Sequence, residues 1–514
     1  MSSILTNTSA MVALQTLKGI NASLSSTQNE ISTGKSVATA KDNSAVWAIS
    51  KVMEADVNGF KAISNSLSLG ESTVSVGRQA SETVTDLLTD IKGKIVAAQE
   101  SNVDRDKIQT DINALRDQIT SVVGAAQFNG LNLIEGTDDV NVLSSLDRKN
   151  DGSVSASHIT VSRQDLTSGA GTFGSTGLTA AAYGTVNGAT ASDFTSDAAG
   201  KVAEITFGVA SLAANDTYEV SIDGTTLSYT AAGTETAADL ASHFVGQINA
   251  LGLEGISATD EGAGVINLVN TKGYETVAVT LNSTSDANLE ITDLNGGGAP
   301  TDGDVGTIEQ RASTIDFSTT AGVNEGDSFK VTAGGSSFNY IAGRGETMED
   351  VAKGLKTAID SNQPDGITTR VQQDATTGQW KLAVDDANGD GTSTTFSLAV
   401  SAGGTASGGL FGLDNIDVTT NEGAAAALDN IETMIQTSID AAAQFGSVQG
   451  RIETQSTFIS NLTDALKTGI GSMVDADMEE ASAKLQALQV QQQLGVQSLS
   501  IANQAPQSIL SLFR

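Results

Sequence analysis

Apolar residues recur at helical spacing toward both ends of the chain and alternate with polar ones in between. Near the start, Ala13, Leu17, Ile20, Leu24 and Ile31 follow steps of 4, 3, 4 and 7 residues. Ile49, Met53, Phe60, Ile63 and Leu67 continue a helical stripe, followed by Val84, Leu88, Ile91 and Ile95. Ile108, Ile112, Leu115, Ile119 and Val122 step 4-3-4-3. Toward the other end, Leu428, Ile431 and Ile435 open a stripe that Ile452, Ile459, Leu462 and Leu466 extend. From Met478, the series Ala481, Leu485, Leu488, Gln492, Gly495, Leu499, Ala502, Pro506, Ile509 and Phe513 holds a 3-4 alternation. Such a/d seams bury a narrow apolar stripe against partner helices.

For the inner helices, about 44–128 and 424–468, an antiparallel bundle within one chain explains the stripes as well as an assembly does. The outermost helices are different, because a terminal stripe frays unless something covers it. Two end helices that pair with each other still leave apolar surface. Between Lys484 and Arg514 there is no charge, while Gln486, Gln489, Gln491, Gln492 and Gln493 keep the helix polar. Ala483, Ala487, Gly495, Ala502 and Ala505 permit close approach. Both ends therefore look built to pack among several chains.

The middle predicts strands and turns. Val140–Leu146 and Val154–Val161 alternate around Asp151-Gly152, a hairpin signature. Residues 167–200, rich in Gly, Ser, Thr and Ala, predict a surface loop or linker. An internal duplication follows. The stretch from Tyr218 to Tyr229 resembles that from Phe329 to Tyr340 at an offset of 111 residues, and the offset persists from Glu235 to Glu346. Each copy predicts a hairpin, a helix (about 235–250 and 346–361) entered at Thr234 or Gly345, and a second hairpin (about 256–281 and 367–400). The predicted fold class is multidomain: an α-helical, coiled-coil-like bundle from both termini, with an inserted α+β middle of two repeated modules, about 201–310 and 311–422.

Charge sharpens this division. The 514-residue chain has a formal charge of −34. Cut at 136/137 and 422/423, its segments carry −3, −26 and −5, and 38 of the 53 Gly lie in the middle. A nucleic-acid partner is not expected, because neutralising phosphates needs Lys and Arg and acidic residues outnumber them 61 to 27. The absence of Cys excludes disulfides, a thiol nucleophile and Cys-ligated zinc. No apolar run reaches the ~18 residues of a membrane span. No basic residue precedes Lys18, so the start does not read as a Sec signal.

Candidate chemistry is sparse. His158 and His243 form no HExxH, there is no phosphate-binding GxxxxGK[ST] loop, and Gly296-Gly297-Gly298 reads as a turn. Asp386-Ala387-Asn388-Gly389-Asp390-Gly391 matches half of a calcium loop, but its twelfth position is Ser397 rather than Glu, so a tight turn is the preferred reading. No catalytic residue, cofactor or metal site is expected, and the chain does not read as an enzyme.

Several ordered motifs nevertheless carry a resemblance. Ile4-Leu5-Thr6-Asn7 with Ala13-Leu14-Gln15, Gly34-Lys35, Ala40-Lys41-Asp42-Asn43, and Phe128-Asn129-Gly130-Leu131 lie toward one end. Asp475-Ala476-Asp477-Met478, Ala502-Asn503-Gln504 and Leu510-Ser511-Leu512-Phe513-Arg514 lie toward the other. Over about 1–165 and 424–514 the chain resembles the bacterial flagellins. The resemblance implies a subunit that self-assembles into the flagellar filament for swimming motility. Residues 1–42 and 470–514 would form its inner core, with Leu17, Ile20, Leu24, Ile31, Leu485, Leu488, Leu499, Ala502, Ile509 and Phe513 as packing residues. Residues 43–166 and 424–469 would form an outer helical tube with a β-hairpin, packed through Ile108, Ile112, Leu115, Ile119, Ile452, Ile459 and Leu462, and 167–423 a surface-exposed insert.

The implied partners are further copies of the chain, an export chaperone, the type III export apparatus, the filament cap and hook-associated proteins. The implied location is the extracellular filament. A secreted adhesin-like protein and the hook–filament junction protein, which shares similar ends, are the alternatives. Asp90 stands about where receptor-activating flagellins carry Arg, which implies weak recognition by the innate receptor.

Overall fold

The computed structural model describes residues 7–149, 153–187, 193–195, 199–208, 212–284, 289–301, 303–333, 336–362, 366–387 and 395–512. Three helices open the chain: α1 (Thr8–Thr33), α2 (Ser44–Ala98) and α3 (Arg105–Ala125). The small hairpin β1 (Gln127–Phe128) and β2 (Leu131–Asn132) follows, then the larger hairpin β3 (Val140–Arg148) and β4 (Val154–Val161). Next come β5 (Thr176–Leu178), α4 (Ala180–Tyr183), β6 (Gly184–Val186), β7 (Asp193–Thr195), β8 (Lys201–Phe207), β9 (Thr217–Ile222) and β10 (Thr225–Thr230). After α5 (Ala237–Ala250) stand β11 (Ile256–Gly262), β12 (Val265–Asn270), β13 (Val277–Ser283), β14 (Leu289–Leu294) and β15 (Val305–Ile308). Then β16 (Ser313–Phe317), β17 (Ser328–Ala333) and β18 (Ser336–Ile341) precede α6 (Met348–Asp360), followed by β19 (Ile367–Gln373), β20 (Trp380–Asp386) and β21 (Thr395–Ala402). Two long helices close the chain, α7 (Asn421–Val474) and α8 (Met478–Leu512). The chain is thus helical at both ends and β-rich between them.

By compactness it forms two units. One comprises residues 1–75, 139–161 and 446–514, the other 76–138 and 162–445, so α2 and α7 each contribute to both.

In the first unit α1 packs along α8. Hairpin β3–β4 lies against α2 where glycines leave room. A Cβ on Gly70 would stand 2.6 Å from Val142 Cγ1, and one on Gly59 3.0 Å from Leu146 Cδ1. From α7, Gln455 Nε2 donates to the Ser144 carbonyl at 2.9 Å, which ties the hairpin to a second helix.

In the second unit, Leu88, Ile91 and Ile95 of α2, Ile112 and Ile119 of α3, and Ile431 and Phe445 of α7 are buried. Ser438 Oγ donates to the Ser81 carbonyl at 3.0 Å and accepts from Thr85 Oγ1 at 3.0 Å, so this buried polar pair satisfies itself.

The β-rich part of that unit has two apolar cores. Around Phe207, Tyr218, Phe244 and Ile248, the sheets run β10-β9-β13-β15 and β11-β12-β8-β14 with α5. Around Phe317, Phe329, Val351 and Leu355, they run β19-β20-β16-β6 and β18-β17-β21-β5 with α6, and β7 also pairs with β21.

Three details correct the sequence reading. Residues 167–200 are not merely a linker. They supply β5, β6 and β7, whose partners β21 and β16 lie more than a hundred residues downstream, and short Gly- and Thr-rich strands carry almost no period of their own. The second predicted hairpins end early: β11–β12 and β19–β20 pair, but β13 and β21 join β9 and β17. Helices α5 and α6 start after Thr236 and Thr347, two residues beyond the expected entries. There Thr236 N–H donates to Asp239, and Thr347 N–H to Asp350, each at 2.8 Å, which satisfies an otherwise orphaned end.

Candidate assembly surface

The terminal helices start and stop on side chains suited to the task. Asn7 Oδ1 accepts from Ala10 N–H at 3.0 Å and caps α1, while its Nδ2 reaches the Ala502 carbonyl at 2.8 Å. Gly34 ends α1 at φ +69°, a left-handed conformation that a Cβ would strain. The connector that follows pairs with the one before α8. Ser36 N–H donates to the Val474 carbonyl at 2.8 Å, Ala476 N–H to the Gly34 carbonyl at 3.0 Å, and Lys35 bridges to Asp475.

Asp42 accepts the Thr39 backbone N–H at 2.8 Å and the Thr39 hydroxyl at 3.0 Å, which together hold its carboxyl below the usual range. Asp477 Oδ1 accepts from Glu479 N–H at 3.0 Å and Glu480 N–H at 3.1 Å, capping α8. Elsewhere, Asn129 at φ +51° and Gly130 at φ +80° make the tight turn of hairpin β1–β2 beside Phe128.

Helices α1 and α8 meet along a seam of small and apolar side chains. Leu17, Ile20, Leu24 and Ile31 are half-buried, as are Leu485, Leu499 and Ala502, while Ala481 and Leu488 are buried. Gly495 admits α1 closely, since a Cβ there would stand 3.2 Å from Leu17 Cδ1. Gln492 Nε2 donates to Asn21 Oδ1 at 2.7 Å across the same seam. The side chain of Ile509 and all of Phe513 lie outside the described residues.

The structure locates the leftover apolar surface that the sequence implies but does not assign to positions. Val490, Leu494 and Ile501 on α8 are 56%, 58% and 68% exposed. Each follows a seam position (Leu488, Gln492 or Leu499) by two residues, or about 200° around the helix. Helix α8 is therefore apolar on two opposite faces, of which α1 covers one. On α1, Met11, Val12 and Leu14 are exposed too, as are Ile49, Val52 and Leu69 on α2 and Phe458 on α7. Of the large apolar side chains that stand exposed among the described residues, only Val96, Leu251, Val305 and Ile439 belong to the second unit. A pattern of successive 3-4 steps registers a single seam, which is why these positions escaped the sequence reading. The available signal was the uncharged run after Lys484, which leaves no solvent-facing side to the helix.

The predicted outer-tube residues divide between the units. Ile112 and Ile119 are buried and Ile108 and Leu115 half-buried in the second, whereas Ile452 and Ile459 are buried and Leu462 half-buried in the first. Asn503 and Gln504 are exposed on α8. His158 is exposed on β4, and His243 stacks obliquely on Tyr229 at 4.6 Å. Among the described residues no group of acidic or His side chains could hold a metal ion, and no helix is long and apolar enough to cross a membrane. Asp386 is buried at the end of β20, and the rest of the calcium-like loop, 388–391, lies outside the described residues.

Comparison with known proteins places this surface in context. The family described as the bacterial flagellin N-terminal helical region matches residues 4–139, and the bacterial flagellin C-terminal helical region matches 428–513. Flagellin D of Rhizobium meliloti (strain 1021) is 30% identical over 522 residues, covering 100% of both chains. Flagellin FljM of Caulobacter vibrioides is 40% identical over 140 residues, 27% of this chain and 51% of that one. The solved structure of FliC from Burkholderia pseudomallei matches at 13% identity and a TM-score of 0.26, covering 74% of this chain and 99% of that one.

Proposed function

Because this chain belongs to the bacterial flagellins, structural subunits of the flagellar filament rather than enzymes, we propose that its second apolar stripe is the surface by which copies join one another. The chain is a filament subunit that serves swimming motility outside the cell. The observation that carries the residue-level reading is α8, uncharged from Gln486 to Leu512 and apolar on the face opposite its seam. Fully burying a Val, Leu or Ile side chain stabilises by about 1.5–3 kcal/mol, so Val490, Leu494 and Ile501 each favour joining, offset in part by the ordering of the helix end.

In this reading Leu17, Ile20, Leu24, Ile31, Leu485, Leu488, Leu499 and Ala502 set the α1–α8 pair, and Met11, Leu14, Leu494 and Ile501 meet neighbouring subunits. Residues 1–42 and 470–514 make the inner layer, 43–166 and 424–469 the layer around it, and 167–423 the solvent-facing insert of two repeated modules. Three of the four strands in each sheet correspond between the two cores, which supports the repeat, as do the paired contacts Tyr229–Glu235 (3.2 Å) and Tyr340–Glu346 (2.8 Å). A heterologous contact repeated by every copy, with a rotation that does not close into a ring, gives open, helical growth. Export as an unfolded chain through the type III route, with a chaperone, and addition beneath a filament cap on hook-associated proteins complete the reading.

Deleting 499–514 tests it. Seeded polymerisation followed by sedimentation and negative-stain microscopy is expected to show no filaments, while calorimetry still shows the melting of the insert cores. Normal filaments from the truncated chain would overturn the assignment.

A further inference from the structure

Helix α6 meets α7 through a buried polar cluster that packing alone does not require. Lys356, in the middle of an otherwise apolar face, is 6% exposed. Its Nζ donates to Asp360 Oδ2 at 2.7 Å and to Asn430 Oδ1 at 3.2 Å. Asn430 is 7% exposed, and the Asp360 side chain 5%. Thr369 donates to the other Asp360 oxygen and fixes the carboxylate, and Thr357 Oγ1 lies 3.4 Å from Asn430 Oδ1. The remaining charge nearby, Asp429, is 3.7 Å from Nζ and largely exposed. An amine, a carboxamide and a carboxylate are thus held together away from water.

We propose that Lys356 and Asn430 form an intramolecular isopeptide bond, with Asp360 as the proton carrier. In the first step a proton passes from the Lys356 ammonium to Asp360 along their 2.7 Å hydrogen bond. The freed lone pair attacks Asn430 Cγ. The carbonyl oxygen there lies 3.4 Å from the Thr357 hydroxyl, which turns from the Lys353 carbonyl at 3.0 Å to steady the developing negative charge. A new C–N bond forms. Asp360 gives its proton to the departing amide nitrogen, the old Cγ–Nδ2 bond breaks, and Asp360 then takes the proton that the attacking nitrogen sheds and passes it to the ammonia. Lysine ammonium plus carboxamide becomes a secondary amide plus ammonium, and Asp360 ends as it began. No oxidant, nucleotide or metal enters the balance. A cavity of about 60 Å³, bordered by Tyr340, Thr357, Asn430 and Met434, adjoins the amide and gives the ammonia a way out. Holding the reactants in one geometry is the main source of rate for such a reaction. The cross-link would staple the β-rich insert to the long helix that carries it.

Mass spectrometry of the full-length chain decides the matter. The intact mass is expected to be one ammonia below the sequence mass, and a tryptic digest to yield a branched peptide joining the Lys356 and Asn430 segments. Lys356→Arg and Asn430→Ala should each restore the full mass. Asp360→Asn should do the same with Lys356 and Asn430 both present, and Asp360→Glu should regain the branched peptide. Separate Lys356 and Asn430 peptides from the wild-type chain would overturn the proposal whatever the variants do. So would an ammonia loss that maps to an Asn-Gly turn.

Discussion

Helices α6 and α8 have similar apolar spacing and opposite fates. On α6, Met348, Val351, Ala352, Leu355, Ala358 and Ile359 are all buried, and Glu349, Asp350 and Lys353 take the outer side. Helix α8 buries Ala481 and Leu488 but leaves Val490, Leu494, Val496 and Ile501 in the open, with no charged residue after Lys484 to turn to water. The first belongs to a core that one chain completes, and the second, as proposed above, to a core that other copies would complete. A seam read from sequence therefore states that a face is buried, and the residues off the seam state whether the burial is finished.

The largest test of that contrast is the double substitution Leu494→Glu with Ile501→Glu. It spares the α1–α8 seam, so the monomer should keep its helix content and its insert transitions. Placing charge on the unfinished face should raise the concentration needed for seeded growth by well over a hundredfold, since two buried charges without partners cost several kcal/mol. Growth at the wild-type concentration would erase the distinction between the helices.

Phe244→Ala probes the other side. Phe244 is fully buried and stacked on Phe207 at 5.6 Å, so its loss should cost about 3–5 kcal/mol in the first β-rich core, read as a lowered calorimetric transition. Filament growth should be unaffected, and a joint loss of both would show that the insert and the ends are not separable.

A smaller effect sharpens the difference between the two β-rich cores themselves. Burial against its surroundings lifts the Glu346 carboxyl from 4.5 to about 6, although the Gly343 N–H and Tyr340 hydroxyl oppose the shift. The corresponding Glu235 is lowered instead, by backbone N–H groups of its own turn. A raised carboxyl pKa means that the folded state binds the proton more tightly, so stability falls as pH rises through 4.5 to 6. The second core should therefore gain about 2 kcal/mol on acidification from neutral pH to below this window. Glu346→Gln should remove that gain, and the first core should show no such gain. A Gln variant whose transition keeps the wild-type pH dependence would assign it to another group.

Much of this was legible in the chain. The helical ends, hairpin β3–β4, the helices α5 and α6 and the α1–α8 seam follow from periodicity, because each is a local pattern of period 3.6 or 2. The motif residues Gly34, Asp42, Asn129, Gly130 and Asp477 were equally readable, and each has a backbone reason. Gly34 and Gly130 take positive φ, Asn129 tolerates it, and the two Asp side chains accept N–H groups that nothing else satisfies. The strands drawn from 167–200 were not legible, since their identity rests on partners far along the chain rather than on a pattern of their own.

By itself the sequence determined where the helices lie, that the acidic, Gly-rich part is the middle, and that the stretches before Lys18 and between Lys484 and Arg514 carry no charge. These are additive properties of residues and their spacing. Only the tertiary structure decided which stripe α1 covers and which it leaves open. It also decided that β5 and β6 complete a sheet pair begun by β16 and β21, and that Lys356, Asp360 and Asn430 share one dry cluster. Those facts depend on distances between residues remote in the chain, and the closure of long loops leaves no local trace in composition or period.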